Sequence, residues 1–347
     1  SFYREVVKHW FVNTPFFLYL MACALTVCSG NYLFVIARPD LYDTPIMAAN
    51  MFTVAGLWLW IKGKYTLHPR HRKVAYLLGS FCMALVAGCR PQMLLFSFLA
   101  VPLFWDEVVK KRELFGRKNP LETISICLPY LLVAAGIMYY NAARFGSPFD
   151  FGAAYSLTSN DMTRRGFNLH QALLGVWHYF FNPPAVSSEF PFLQGIQIGS
   201  GTYMGKLNAE YTYGGMLVCN ALAWLLVLLQ REKRLFRHKG VYGFVLANLA
   251  VPVILGVADV TGAGILQRYM VDMVWGVLCA SVFMLFCIWE VSNGAGRRNS
   301  LMLLLGCICV LQAFYGLGVV FGNGDLSVNV RSSNPGLYYG MKSLLMF

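Results

Sequence analysis

The chain has 347 residues, of which 57% are hydrophobic and 13% charged. A soluble domain carries about 25% charged and about 45–50% apolar residues, so an ordinary cytosolic enzyme is excluded. Twenty-eight Lys and Arg against 16 Asp and Glu leave a net charge of +12. Most of that excess lies in short loops between apolar runs, a sign of membrane topology rather than of nucleic-acid binding.

The opening residues, Ser1-Phe2-Tyr3-Arg4-Glu5, show neither an initiator Met nor a signal-peptide pattern and read as the start of a fragment. Beyond them, a ruler of about 20 apolar residues finds nine candidate spans. They cover about 12–36, 45–61, 74–89, 92–105, 121–143, 211–229, 241–258, 265–289 and 300–321. The third and fourth meet at Gly88-Cys89-Arg90-Pro91-Gln92, where Pro91 stops the preceding helix. With the N-terminus cytoplasmic, 19 basic residues fall inside and 9 outside, while acidic residues divide 7 and 9. The whole +12 then sits on the inner face, as the positive-inside rule demands of a correct count. The expected fold is an all-α, multi-pass bundle in a plasma membrane, its C-terminus outside.

Four stretches follow from that count: spans one to five in 1–143, an extracytoplasmic loop over 144–209, the remaining spans in 210–321, and an outer tail over 322–347. Within the loop, Leu169, Leu173, Val176, Trp177, Phe180 and Phe181 recur at helical spacing before Asn182-Pro183-Pro184. This predicts an amphipathic helix lying in the membrane interface. Gly195, Gly199, Gly201 and Gly205 then suggest a loop able to move over a site. The ten cysteines fall mostly inside apolar segments without zinc spacing, and read as small buried hydrophobes. No metal ligand set is apparent, and His170 and His178 read as satisfied interfacial histidines.

Ionisable residues gather at the outer face, so any chemistry is expected there. The first cluster is Ala37-Arg38-Pro39-Asp40-Leu41-Tyr42-Asp43-Thr44-Pro45. Two carboxylates and a guanidinium can orient a sugar, hold a divalent cation or serve acid–base chemistry. The same residues also suit a solvated turn, with Asp40 as a turn residue and Asp43 near a helix start. Arg90 has no acidic neighbour in sequence; it suits a phosphate, or snorkelling to lipid headgroups. In Gln267-Arg268-Tyr269-Met270-Val271-Asp272, Arg268 and Asp272 stand at i and i+4 and are expected to pair, with Arg268 and Tyr269 also able to face a cavity. The fourth element is Tyr140-Asn141-Ala142-Ala143-Arg144-Phe145-Gly146-Ser147-Pro148-Phe149-Asp150-Phe151-Gly152, at the exit of the fifth span. No GxSxG, P-loop, GxGxxG or HExxH motif occurs.

Together these segments resemble the polytopic glycosyltransferases of the GT-C superfamily, in the bacterial branch related to protein O-mannosyltransferases and lipid A aminoarabinose transferases. The phrase from Tyr140 to Gly152 is similar to one found where a helix leaves the membrane in bacterial members. Arg38-Pro39 with Asp43 resembles an Arg…Asp element, Gly88-x-Arg90-Pro91 a phosphate-facing turn, and Arg268-Tyr269 a recurrent pair on a late helix. The resemblance spans most of 12–290 and implies sugar transfer from a polyprenyl-phosphate donor to a lipid, glycan or protein acceptor outside. It implies Arg90 and then Arg268 at the phosphate, Arg38 beside Asp43, and Tyr269, Asn141 and Arg144 around the donor. Members of the superfamily carry their principal carboxylate in a first outer loop that is only a few residues long here. The main base is therefore expected upstream of Ser1, with Asp43 and Asp40 as the catalytic candidates in this chain and Mg or Mn as an optional ion.

Two other classes stay open. A lipid-linked glycan flippase would also hold a phosphate on outer arginines, but predicts ionisable residues or broken helices inside the spans. A polymerase or ligase of O-antigen type would use a large outer loop with arginines, here Arg144, Arg164 and Arg165.

Overall fold

The computed structural model describes residues 2–37, 40–116, 119–155, 167–198, 210–292, 294–322 and 330–346. Arg38, Asp161, Arg164 and Arg165 lie outside the described residues, as do Gly199, Gly201 and Gly205. The described chain is almost wholly helical. Six helices are long and apolar enough to cross a membrane, or seven if one bent pair counts as a single span. Two compact units divide the chain: one of residues 1–12, 45–165 and 239–247, the other of 13–44, 166–238 and 248–347.

The first unit begins with α1 (Phe2–Trp10), an amphipathic helix of nine residues, too short to cross a membrane. Its apolar face, Phe2, Tyr3, Val6 and Trp10, is buried, and His9 stacks on Tyr65 at 3.9 Å. Helices α4 (Asp43–Tyr65) and α5 (Pro69–Cys89) then meet through glycines. A Cβ on Gly56 would lie 2.9 Å from the Gly79 carbonyl, and one on Gly79 would lie 2.6 Å from Trp60. Small residues at the contact let two apolar helices approach closely, and the Trp60 indole donates to Ser80 Oγ at 3.1 Å across it. Arg72 ties α5 to α7 (Pro120–Phe145) through Glu122, with Nη2–Oε1 2.7 Å.

The fourth expected span takes a different form. Residues Pro91–Leu99 wind as a 3₁₀ helix that continues into one α-turn, α6 (Ala100–Leu103). Pro91 supplies no N–H to the preceding helix, so the ladder restarts there. The larger rise of 3₁₀ geometry carries these thirteen residues about 24 Å.

In the second unit α2 (Phe16–Val27) and α3 (Gly30–Ala37) form the bent pair, turning 52° at Cys28-Ser29. Helix α8 (Leu169–Val176) continues as a π-turn over Trp177–Phe181, which fulfils the helix expected in the loop. A short hairpin follows, β1 (Ala185–Val186) against β2 (Leu193–Gln194). Helix α9 (Met216–Cys219) breaks at Asn220 and resumes as a 3₁₀ helix over Ala221–Leu228, so the sixth expected span is also irregular. Helices α10 (Leu229–His238) and α11 (Tyr242–Gly262) lead to α12 (Met270–Val291), α13 (Ala295–Phe321), α14 (Val330–Ser333) and α15 (Pro335–Leu345).

Helix α12 is apolar on nearly every side, and such a helix is kept from water by a protein interior or by lipid. It is the centre of this unit: from Met270 to Cys287 every side chain is buried. Helix α13 packs on α3 where Gly30 meets the Tyr315 ring, and a Cβ there would come within 2.4 Å of it. At the other end Phe190, Phe321 and Tyr338 close a small cluster, so the tail expected after 322 contains a docked helix.

Candidate functional site

The site grows from the turn between α11 and α12. The Asp259 carbonyl accepts the amides of Ala263 (2.7 Å) and Gly264 (3.1 Å), ending α11. Gly264 has φ +116°, a left-handed conformation that suits glycine. Tyr179, fully buried in the π-turn, donates its hydroxyl to the Gly264 carbonyl at 2.8 Å and accepts from the Leu266 amide at 3.3 Å. Burial pushes this hydroxyl well above the usual tyrosine range, so it remains a donor. Gln267 then turns inward and its Oε1 accepts the Tyr213 amide at 3.1 Å. The loop helix thus holds the turn from which Arg268 projects.

Gln267–Tyr269 form a 3₁₀ turn, and the α-helix begins only at Met270. That overturns the expected pairing of Arg268 with Asp272. The i, i+4 alignment belongs to α-helical winding, whereas 3₁₀ winding eclipses i and i+3. Arg268 instead meets Glu210, with Nη2–Oε1 3.2 Å, while Asp272 is fully buried. Rings cover the guanidinium: its centre lies 5.5 Å from the Tyr42 centroid and 5.8 Å from that of Tyr269.

Asp43 joins this group. It is the first residue of α4, where the helix dipole favours a carboxylate, and it is only 6% exposed. Its Oδ1 has no hydrogen-bond partner, and among the described residues Arg268, Asp40 and Glu210 act on its charge. Asp40 is exposed and its Oδ1 accepts the Leu41 amide at 2.6 Å, which makes it a turn residue. The structure therefore brings Asp43, Arg268 and Tyr269 together, with Asp40 at the edge. Sequence reading left Glu210 and Tyr42 out of the site, and no spacing rule links Glu210 to an arginine so far along the chain.

The remaining candidates belong to the first unit. Arg90 is half-buried at the end of α5, in an extended conformation (φ −144°) just before the 3₁₀ segment. Asn141 is buried and its Nδ2 donates to the Pro148 carbonyl at 3.3 Å. Arg144 is exposed, donates to the Tyr140 hydroxyl at 2.6 Å and lies over the Phe145 ring. Gly146 (φ +77°) ends α7, Gly152 accepts no Cβ because the Phe145 ring would be 2.5 Å away, and its amide bonds to Asp150 Oδ1 at 2.8 Å. The Tyr140–Gly152 phrase thus builds a chain reversal at the helix exit, which explains its glycines, Asn141 and Asp150 without a ligand.

His178 differs from the satisfied histidine that was expected. Its Nδ1 is buried without a hydrogen-bond partner, and burial lowers its pKa from 6.5. All ten cysteines are free thiols, and Cys219, Cys279 and Cys287 are buried. Among the described residues no three His, Cys, Asp or Glu side chains come together to hold a metal ion. Comparison with family models, curated proteins and solved structures gives no match.

Proposed function

We propose that the chain is a membrane glycosyltransferase that moves a sugar from a polyprenyl-phosphate donor to a lipid, glycan or protein acceptor on the outer face. In this reading all nine apolar segments cross a plasma membrane, with the N-terminus of the chain inside and its C-terminus outside. The observation that carries it is the Arg268 group. A guanidinium flanked by Tyr42 and Tyr269 lies within electrostatic reach of Asp43, whose buried Oδ1 has no hydrogen-bond partner. A planar cation there suits the departing phosphate, and a carboxylate within its field suits the acceptor hydroxyl or the sugar. Arg90 is assigned to the phosphate on the resemblance of its turn. The lipid tail calls for an apolar flank, which the exposed Leu169, Leu173, Trp177 and Phe181 stripe of the loop helix offers at the interface.

One observation favours the flippase instead. The break in the α2–α3 pair and the break at Asn220 share a fully buried contact, Asn220 Nδ2 to Asn31 Oδ1 at 3.0 Å. Discontinuous helices with polar groups inside a bundle are a transporter device. Proteoliposomes loaded with a polyprenyl-phosphate monosaccharide separate the readings. Transfer releases free polyprenyl phosphate and needs an acceptor. Movement of the intact glycolipid between leaflets, without release, would replace the transferase with the flippase.

A further inference from the structure

The phosphate assigned to Arg268 meets a cation that already has an anion. Glu210 Oε1 holds Nη2 at 3.2 Å, and both side chains are mostly buried, 21% and 16% exposed. The guanidinium centre lies 5.5 Å from the Tyr42 ring and 5.8 Å from the Tyr269 ring, and its N–H groups point from its edges, which are what an anion can use. The buried Nε edge makes no hydrogen bond. Among the described residues, Asp43 interacts with Arg268 and with two further carboxylates, Asp40 and Glu210. Among the described residues the group is thus net negative, which opposes a second anion as long as Glu210 stays in place.

We propose that Glu210 is an internal counter-ion that the donor's phosphate displaces from Arg268. Glu210 acts through Arg268 and is a positioning residue: it keeps the guanidinium aligned when no donor is bound and sets how tightly the site takes an anion. Displacement needs no backbone change. The Glu210 amide donates to the Ile265 carbonyl at 3.0 Å and anchors the residue beside the Arg268 turn. Only the side chain swings, and its release leaves both guanidinium edges to a phosphate, the bidentate geometry arginine favours. This rests on the proposed function, which gives Arg268 to the phosphate.

Decyl phosphate binding to the native full-length protein in a neutral maltoside detergent tests it by titration calorimetry. Glu210→Gln keeps the shape and removes the charge, and binds decyl phosphate about tenfold more tightly than wild type, about 1.4 kcal/mol. Glu210→Asp, with a shorter reach, gives an intermediate gain and carries the test if the Gln variant does not fold. A purely structural Glu210 would give weaker binding on substitution, never tighter. Arg268→Gln in the Glu210→Gln background removes the gain. Equal affinity in wild type and both Glu210 variants, with loss on Arg268→Gln, overturns the counter-ion and leaves the phosphate assignment standing. Decyl phosphate binding that is absent, or indifferent to Arg268→Gln, overturns that assignment and the counter-ion with it.

Discussion

Tyr179→Phe is the sharpest test of how the loop helix supports the site. The substitution removes one oxygen from a fully buried position and leaves two backbone groups without their partner. They are the Gly264 carbonyl, bonded at 2.8 Å, and the Leu266 amide, bonded more weakly at 3.3 Å. A buried polar group stripped of its partner costs about 1–3 kcal/mol, and the loss is offset in part because the Tyr hydroxyl no longer needs to be desolvated. The net is about 2 kcal/mol, or about a 30-fold rise in the population of the opened turn. Hydrogen exchange of the purified protein reads this directly, since exchange tracks local opening. Amides from Gly264 to Tyr269 are expected to exchange about 30-fold faster, while those in the middle of α12 keep their protection. Unchanged exchange at 264–269 would refute the claim that Tyr179 holds the Arg268 turn.

Three further outcomes follow from the packing and the charges. Gly215→Ala places a Cβ 2.5 Å from backbone atoms of Phe180 and Phe181. It is expected to lower stability by about 1–3 kcal/mol in thermal unfolding, against no loss for Gly306→Ala, which meets open space. Arg72→Ala strands the buried Glu122 and should cost up to about 3 kcal/mol, less if water reaches the vacated, partly exposed Arg72 position. Burial lowers the His178 pKa below 6.5, so the unfolded chain takes up a proton that the folded chain refuses as pH falls through that region. Wild type therefore loses stability on acidification below about pH 6.5, and His178→Gln flattens that part of the profile in pH-dependent melting.

The helical character and the long apolar helices were legible because apolar runs are local properties of the sequence. So was the loop helix, whose exposed stripe of Leu169, Leu173, Trp177 and Phe181 repeats every four residues. Its other face, Gln171, Ala172, Gly175 and Tyr179, packs inward, and Phe180 of the predicted apolar set is buried with it. Pro91 announced a helix stop but not the 3₁₀ segment after it, since periods of 3.0 and 3.6 residues look alike over nine positions. The short α1 and α15 were missed because neither is long enough to register against a span-length ruler.

The site was legible in part. Asp43, Arg268 and Tyr269 stood out as polar residues at the ends of apolar helices, and the fold brings them together. The partner of Arg268 did not stand out. A local rule pointed to Asp272, and the 3₁₀ start of the helix broke the alignment that rule requires. Glu210 reaches Arg268 only through the way the chain between them folds, and Tyr179 supports the turn from the loop helix in the same non-local way. Asn141 was legible as a polar residue in a motif, but its role is to hold the Pro148 carbonyl at the helix exit.

In the proposed function Arg268 and Asp43 act on a lipid-phosphate sugar. This is tested by donor consumption by the native full-length protein in proteoliposomes supplied with acceptor membrane lipid extract, with wild type, Arg268→Ala and Asp43→Asn assayed side by side on one labelled polyprenyl-phosphate sugar. Wild type should release polyprenyl phosphate, and both variants should fold yet lose about 100-fold or more in rate, the scale for removing an electrostatic or proton-transfer group. Undiminished release by folded Arg268→Ala and Asp43→Asn proteins would contradict the account.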